Sequence, residues 1–147
     1  MKLVIFGANG FIGKALQERA RGAHEVAAFS RSTKQDVRHP ETFAQQLAAE
    51  KPDAVINLSA ILGTMKEAPS IIDLFETNVM GNLNILKASY EAGVKNYIFS
   101  SSMVVHGENK IGDHQKRFSL FNPKHGYSAS KAAAEFSAMQ FVKKLRK

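Results

Sequence analysis

The sequence predicts an α/β fold, a parallel sheet with helices on both faces, and three observations carry that expectation. Residues 3–6, Leu-Val-Ile-Phe, form a short apolar run of the kind that makes a strand buried on both sides. The run ends in Gly7, Gly10 and Gly13, after which a helical pattern begins. Further along, short apolar runs keep alternating with amphipathic stretches, and such alternation calls for crossovers between parallel strands.

Strand, glycine turn and helix together are a device for holding phosphate. A turn without Cβ atoms lets the backbone approach an anion, and the helix N-terminus offers free N–H groups and a positive dipole end. The spacing is G-x-x-G-x-x-G rather than the G-x-G-x-x-G of many dehydrogenases, and the same triplet also closes ordinary tight turns. A nucleotide-triphosphate loop is a near miss: Gly13-Lys14 fits, but Ala8 stands where the first glycine belongs and Ala15 where a magnesium-binding hydroxyl belongs.

The remaining elements follow in order. Phe11, Ala15 and Leu16 are expected to give the first helix its apolar face, with Arg21-Gly22 closing it. Residues 25–29 read as the second strand, followed by Ser30-Arg31-Ser32. In dinucleotide folds the end of this strand meets the adenosine ribose, where an acid favours a free 2′-hydroxyl and an arginine a 2′-phosphate. No acid is present, and Arg31 is placed for the second case or is simply a solvent-exposed turn residue.

Asp36-Val37 falls in a loop, and Pro40-Glu41 opens a short helix with Phe43 and Leu47 on one side. Residues 54–58 are the third strand, and the small uncharged loop after it, from Ser59 and Ala60 to Gly63, is expected to border a ligand crevice. From 70 to 92, Ile72, Phe75, Val79, Leu83, Leu86 and Tyr90 recur at helical intervals, with Asn78 and Asn82 off that stripe. Residues 96–100 are the fourth strand, ending at Ser100 and running into Ser101 and Ser102. The polar stretch 108–126 reads as a loop, and 127–145 as an alanine-rich helix with Phe136 and Met139 on a buried or partner-facing side.

Bulk properties narrow the function classes. The 147 residues make one domain, 44% hydrophobic and 22% charged, as in ordinary globular proteins. Without cysteine there are no disulfides or thiolate metal sites, and the five histidines show no paired spacing, so no metal is expected. No apolar stretch is long enough to span a bilayer and no signal peptide is evident, which makes the cytoplasm the expected compartment. The net charge of +7 is scattered, its densest cluster being Lys143, Lys144, Arg146 and Lys147 at a helix end; neither nucleic acid nor membrane is expected as a partner.

Tyr127-Ser-Ala-Ser-Lys131 places a phenol and an ammonium four residues apart on one helix face. A tyrosine acting as a base near pH 7 needs about 4 kcal/mol of help, which a neighbouring cation supplies. Ser102, on the loop after the fourth strand, can hydrogen-bond a substrate oxygen. Taken alone, such a pair is more commonly a surface feature.

Five segments in order resemble the extended short-chain dehydrogenase/reductase family, the NAD(P)-dependent nucleotide-sugar epimerases, dehydratases and reductases. They are Gly7-Ala-Asn-Gly-Phe-Ile-Gly13, Lys51-Pro-Asp-Ala-Val-Ile-Asn-Leu-Ser-Ala60, Asn78-Val-Met-Gly-Asn-Leu-Asn84, Ser100-Ser-Ser-Met-Val-Val-His-Gly107 and Tyr127 to Lys131. The resemblance implies a Rossmann-like doubly wound sheet, truncated on the C-terminal side, with residues 1–147 forming the NAD(P)-binding domain and the substrate-binding lobe missing. It makes Tyr127 the acid/base, Lys131 the holder of the nicotinamide ribose, and Ser102 the partner of the reacting oxygen. Gly7, Asn9, Gly10 and Gly13 would form the phosphate turn, with the N–H groups of Phe11 and Ile12 on the pyrophosphate. Arg31 would meet the ribose, Asp36 and Val37 the adenine, and Leu58, Ser59 and Ala60 would line the cofactor crevice. Asn78 and Ser100 would lie near the cofactor and the active-site backbone.

Several departures bear on these expectations. His106 replaces the usual tyrosine, Asn82 stands where threonine is common, and Ser30-Arg31 looks more like the NADP-preferring members. Family members are about twice as long, so the substrate would be a nucleotide sugar in a complete enzyme. A homo-oligomer or a partner chain supplying the missing lobe is expected, because the two helices that pair subunits in the family are both present. A dinucleotide-binding regulatory or assembly module without turnover is the alternative.

Overall fold

The computed structural model describes residues 1–62, 68–107 and 121–145. Four strands, β1 (Lys2–Phe6), β2 (Glu25–Phe29), β3 (Ala54–Asn57) and β4 (Asn96–Phe99), form one parallel sheet in the order β2-β1-β3-β4. The helices are α1 (Phe11–Ala20), α2 (Ala44–Glu50), α3 (Ile71–Phe75), α4 (Gly81–Glu91) and α5 (Gly126–Leu145). The strand order reverses between β2 and β3 on either side of β1. A crevice therefore opens at the carboxyl ends of β1 and β3, as in other doubly wound sheets.

The period-2 alternation of strand side chains assigns the faces. Val4, Phe6, Phe29 and Val55 point to one side, where Phe43, Leu47 of α2, and Ile85 and Ala88 of α4 close over them. The Phe6 ring meets Phe29 and Phe43 edge-on, each at 5.0 Å between centroids, a favoured aromatic arrangement. Leu3 and Ala54 point to the other side, against Ala20 of α1. Val4, Ile5 and Phe6 are fully buried, as a central parallel strand flanked on both faces requires.

Three expectations need correction. Phe11 is 93% exposed and Ala15 is exposed, so neither belongs to a buried face of α1; that face consists of Gly13 and Ala20. The helix approaches the sheet through its small residues, which an apolarity pattern does not register. Asn78 and Asn82 are buried, not off the stripe, because each satisfies its amide internally. The expected single helix over 70–92 is interrupted by a π turn, Glu76–Met80, which carries the chain from α3 into α4 without ending it.

The short helix expected after Pro40 starts as a 3₁₀ turn, Pro40–Thr42, breaks at Phe43 and resumes as α2, with Phe43 and Leu47 buried. The third and fourth strands each end one residue earlier than expected. On α5, Phe136 and Met139 are exposed rather than buried. Most of the loop expected over 108–126, Gly63, and the terminal Arg146 and Lys147 lie outside the described residues. No described helix is long and apolar enough to cross a membrane.

Candidate functional site

The turn after β1 is shaped by what its glycines permit. Gly7 has φ +76°, and a Cβ there would stand 2.8 Å from Leu58 C and Ser59 N, so the first and third loops touch backbone to backbone. Gly13 sits closer still: a Cβ on it would stand 2.3 Å from the Gly7 carbonyl oxygen. The Gly10 N–H closes the turn on that oxygen at 3.0 Å. Asn9 Nδ2 donates to Ser30 Oγ at 2.9 Å and Ser32 Oγ at 2.7 Å, which ties the turn to the loop after β2.

Helix α1 then starts with no side-chain cap at Gly10 and no acid in its first turn. Its first N–H groups lack intrahelical acceptors, and the dipole favours an anion there. The turn at Gly7 and Gly10 with the exposed start of α1 at Phe11 and Ile12 fits a pyrophosphate, since it supplies uncapped backbone donors to an anion.

Next to this turn lies a crevice of about 340 Å³. Gly7, Asn9 and Gly10 form one wall, Arg31, Asp36 and Val37 a second, and Leu58, Ser59 and Ala60 a third. Nine residues singled out in the sequence therefore converge on one cavity. Phe11, Ile12, Gly13, Asn78, Ser100, Ser102, Tyr127 and Lys131 do not line it.

The cavity also includes Ser30, Ser32 and Ile61, from the two loops the sequence placed there, and three residues the sequence reading missed: Gln35, Arg38 and Thr77. Arg38 is the most consequential. It grips Asp36 with both nitrogens, Nε to Oδ1 at 3.0 Å and Nη2 to Oδ2 at 2.6 Å. Its guanidinium holds the Asp36 carboxyl down to about 2. The Asp-x-Arg spacing was the available signal, since two residues on a loop can form such a bidentate pair. With Asp36 neutralised by Arg38, Arg31 gives this wall a positive balance.

The second cluster lies where the loop after β4 meets α5. Lys131 is 2% exposed, donates to the Ser100 carbonyl at 2.6 Å and lies 4.4 Å above the centroid of the Phe99 ring. Burial lowers its ammonium to about 8. The same hydrogen bond holds the Ser100–Ser102 segment against the helix turn that carries Tyr127. Ser102 is extended at the head of a 3₁₀ turn, Met103–His106, which packs on α5.

Tyr127 stacks against His125, with centroids 6.3 Å apart and ring planes 10° from parallel. Ser128 caps this helix start, its Oγ accepting from the Lys124 and His125 N–H groups at 3.0 and 3.1 Å. Ser130 Oγ donates to the Tyr127 carbonyl at 2.8 Å and accepts from Asn78 Nδ2 at 2.9 Å. Phenol, buried ammonium and serine thus stand on two adjoining segments, a set able to move a proton at a substrate oxygen.

A doubly wound parallel sheet with a glycine turn beside its switch point is the architecture of dinucleotide-binding α/β proteins. The chain belongs to the NAD dependent epimerase/dehydratase family, whose sequence model matches residues 3–144. N-acetyl-alpha-D-glucosaminyl-diphospho-ditrans,octacis-undecaprenol 4-epimerase of Escherichia coli O157:H7 is 30% identical, covering 90% of this chain and 41% of that protein. UDP-glucose 4-epimerase of Thermus thermophilus, solved in complex with NAD, is similar with TM-score 0.87 and 25% identity, over 98% of this chain and 51% of that one. RMD from Pseudomonas aeruginosa, solved with NADPH, is similar with TM-score 0.81 and 27% identity, over 97% of this chain and 50% of that one. The chain spans about half the length, or less, of these three proteins.

Proposed function

We propose that these 147 residues form the dinucleotide-binding part of a cytoplasmic NAD(P)-dependent epimerase, dehydratase or reductase acting on a nucleotide sugar, with Tyr127 as acid/base. The observation that carries the reading is the convergence of the glycine cradle, the crevice and the Lys131–Ser100 contact at the carboxyl ends of the strands. The nicotinamide dinucleotide, when bound, supplies a hydride donor or acceptor. The turn at Gly7–Gly10 and the N–H groups of Phe11 and Ile12 bind its phosphates, and Val37 and Leu58 to Ala60 flank the adenosine end. Tyr127 takes the proton from a sugar hydroxyl as its carbon becomes a carbonyl, and returns it in the reverse direction. Lys131 favours the phenolate by its charge, and Ser102 donates to the same sugar oxygen.

Contacts to the sugar would come largely from sequence outside these residues, in the same polypeptide or a partner. The exposed Phe136, Met139 and Tyr90 support a partner surface on α4 and α5, for a second copy or another chain.

For the cofactor, NADP(H) is the favoured form. Arg31 and Arg38 line the crevice and no free acid follows β2. Similar proteins were solved with NAD and with NADPH, so the choice rests on this chain's own residues. A single experiment tests both parts: titration with NADPH and NADH, then a reductase and epimerase screen in the presence of any partner, on native, Arg31→Ala and Tyr127→Phe chains. Arg31→Ala is expected to weaken NADPH about tenfold and NADH little, as loss of one charge-assisted contact would. Tyr127→Phe should remove turnover and leave cofactor affinity in place. Tighter NADH binding by the native chain would refute the cofactor choice, and turnover surviving in Tyr127→Phe would refute the acid/base role.

A further inference from the structure

Helix α4 and the π turn before it hold two opposite walls of the crevice from behind. At the π turn, Asn78 clamps the backbone of Ile61: its Oδ1 accepts from the Ile61 N–H at 2.9 Å and its Nδ2 donates to the Ile61 carbonyl at 3.1 Å. Six residues on, about 9 Å along a helix axis, Asn84 Nδ2 donates to the carbonyls of Val37 at 3.0 Å and Arg38 at 3.4 Å. Between them Gly81 lets the helix press onto the same loop, since a Cβ there would stand 2.6 Å from Val37 Cγ2. Val37, Arg38 and Ile61 all line the crevice.

We infer that Asn84 is a positioning residue for the adenosine end of the dinucleotide, acting through the Val37 and Arg38 carbonyls it holds. The inference rests on the dinucleotide-binding reading above. Both partners of Asn84 are acceptors, so only its NH₂ group can face them. The amide fixes the 36–38 loop at one distance from the 58–61 loop, and with it the width of the slot between them. The Asp36–Arg38 ion pair rides on this loop, so its place on the wall is set by the same contact.

Asn84→Asp tests this with the shape of the side chain kept, because it turns a donor into an acceptor aimed at two carbonyl oxygens. Calorimetric titrations of the 147-residue chain with NADPH, NADH and ADP read it out, together with the thermal midpoint. All three ligands share the adenosine diphosphate portion. Their affinities should therefore fall by one common factor of about ten, the scale of a lost hydrogen bond. A merely structural asparagine would lower the midpoint while leaving affinities measured far below it unchanged.

A folded Asn84→Asp chain that binds all three within about twofold of native overturns the inference. So does a loss confined to NADPH, which would belong to the 2′-phosphate contacts. If Asn84→Asp fails to fold, Asn84→Ser decides by the same criterion, since its short hydroxyl cannot span both carbonyls. A native chain that binds none of the three ligands instead overturns the dinucleotide reading itself.

Discussion

Gly13→Ala is expected to abolish dinucleotide binding and to destabilise the fold by about 3 kcal/mol, at the upper end of overpacking costs. The added Cβ would stand 2.3 Å from the Gly7 oxygen, 2.6 Å from the Ala8 oxygen and 2.7 Å from the Ala8 carbon. These are backbone atoms, so no rotamer change can make room. Either α1 lifts from the sheet or the turn opens, and each moves the N–H groups of Phe11 and Ile12 away from the cradle. Gly22→Ala is the control. Its φ is +92°, but nothing lies within 4 Å of a Cβ there. It should cost about 1 kcal/mol from backbone strain alone and leave binding intact. Denaturant unfolding and NADPH titration of the two variants measure the contrast. Normal affinity in Gly13→Ala would remove the glycine turn from the binding account.

Lys131→Met is expected to stabilise the chain at pH 7 by about 2 kcal/mol, the burial penalty less what the lysine's own hydrogen bond and ring contact contribute. Burial has moved the Lys131 ammonium from 10.5 to about 8. Below pH 8 both folded and unfolded chains carry the proton, and the full penalty of roughly 3 kcal/mol is present. Between pH 8 and 10.5 the unfolded chain binds more protons than the folded one, so native stability rises with pH through that window. The Ser100 hydrogen bond and the Phe99 ring offset part of the penalty, which leaves the smaller net figure.

In Lys131→Met this rise should vanish. Tyr97, whose phenol burial pushes up, opposes the effect only above pH 10, so the slope is best read below that. Urea midpoints across the pH range give the answer. A less stable methionine variant would mean that the lysine is held by compensating contacts rather than at a cost retained for function.

The strands and the order of elements were legible because buried parallel strands are short apolar runs bounded by breakers, and residues 3–6 and 54–57 are such runs. The crevice was largely legible too, since Gly7, Arg31, Asp36 and Ser59 follow strand ends that the topology brings together. What escaped was polar or small. Asn78, Asn82 and Asn84 face inward to hydrogen-bond with Ile61, Tyr97 and Val37, and hydropathy assigns such side chains to solvent. The face of α1 consists of residues with little or no side chain, while the conspicuous Phe11 lies in the open. Arg38 was hidden because its role is set by one local ion pair rather than by periodicity.

The most direct measurement is an amide chemical-shift titration of the native chain with NADPH. Binding in the crevice predicts saturable shifts at Gly7, Gly10, Phe11, Ile12, Val37, Ser59 and Ala60, at the carboxyl ends of β1 and β3. The opposite end of the sheet carries a second concavity, lined by Met1, Lys2, Gly22, His24 and Asp53 among others. No saturable shift, or shifts centred on that second concavity, would contradict the account.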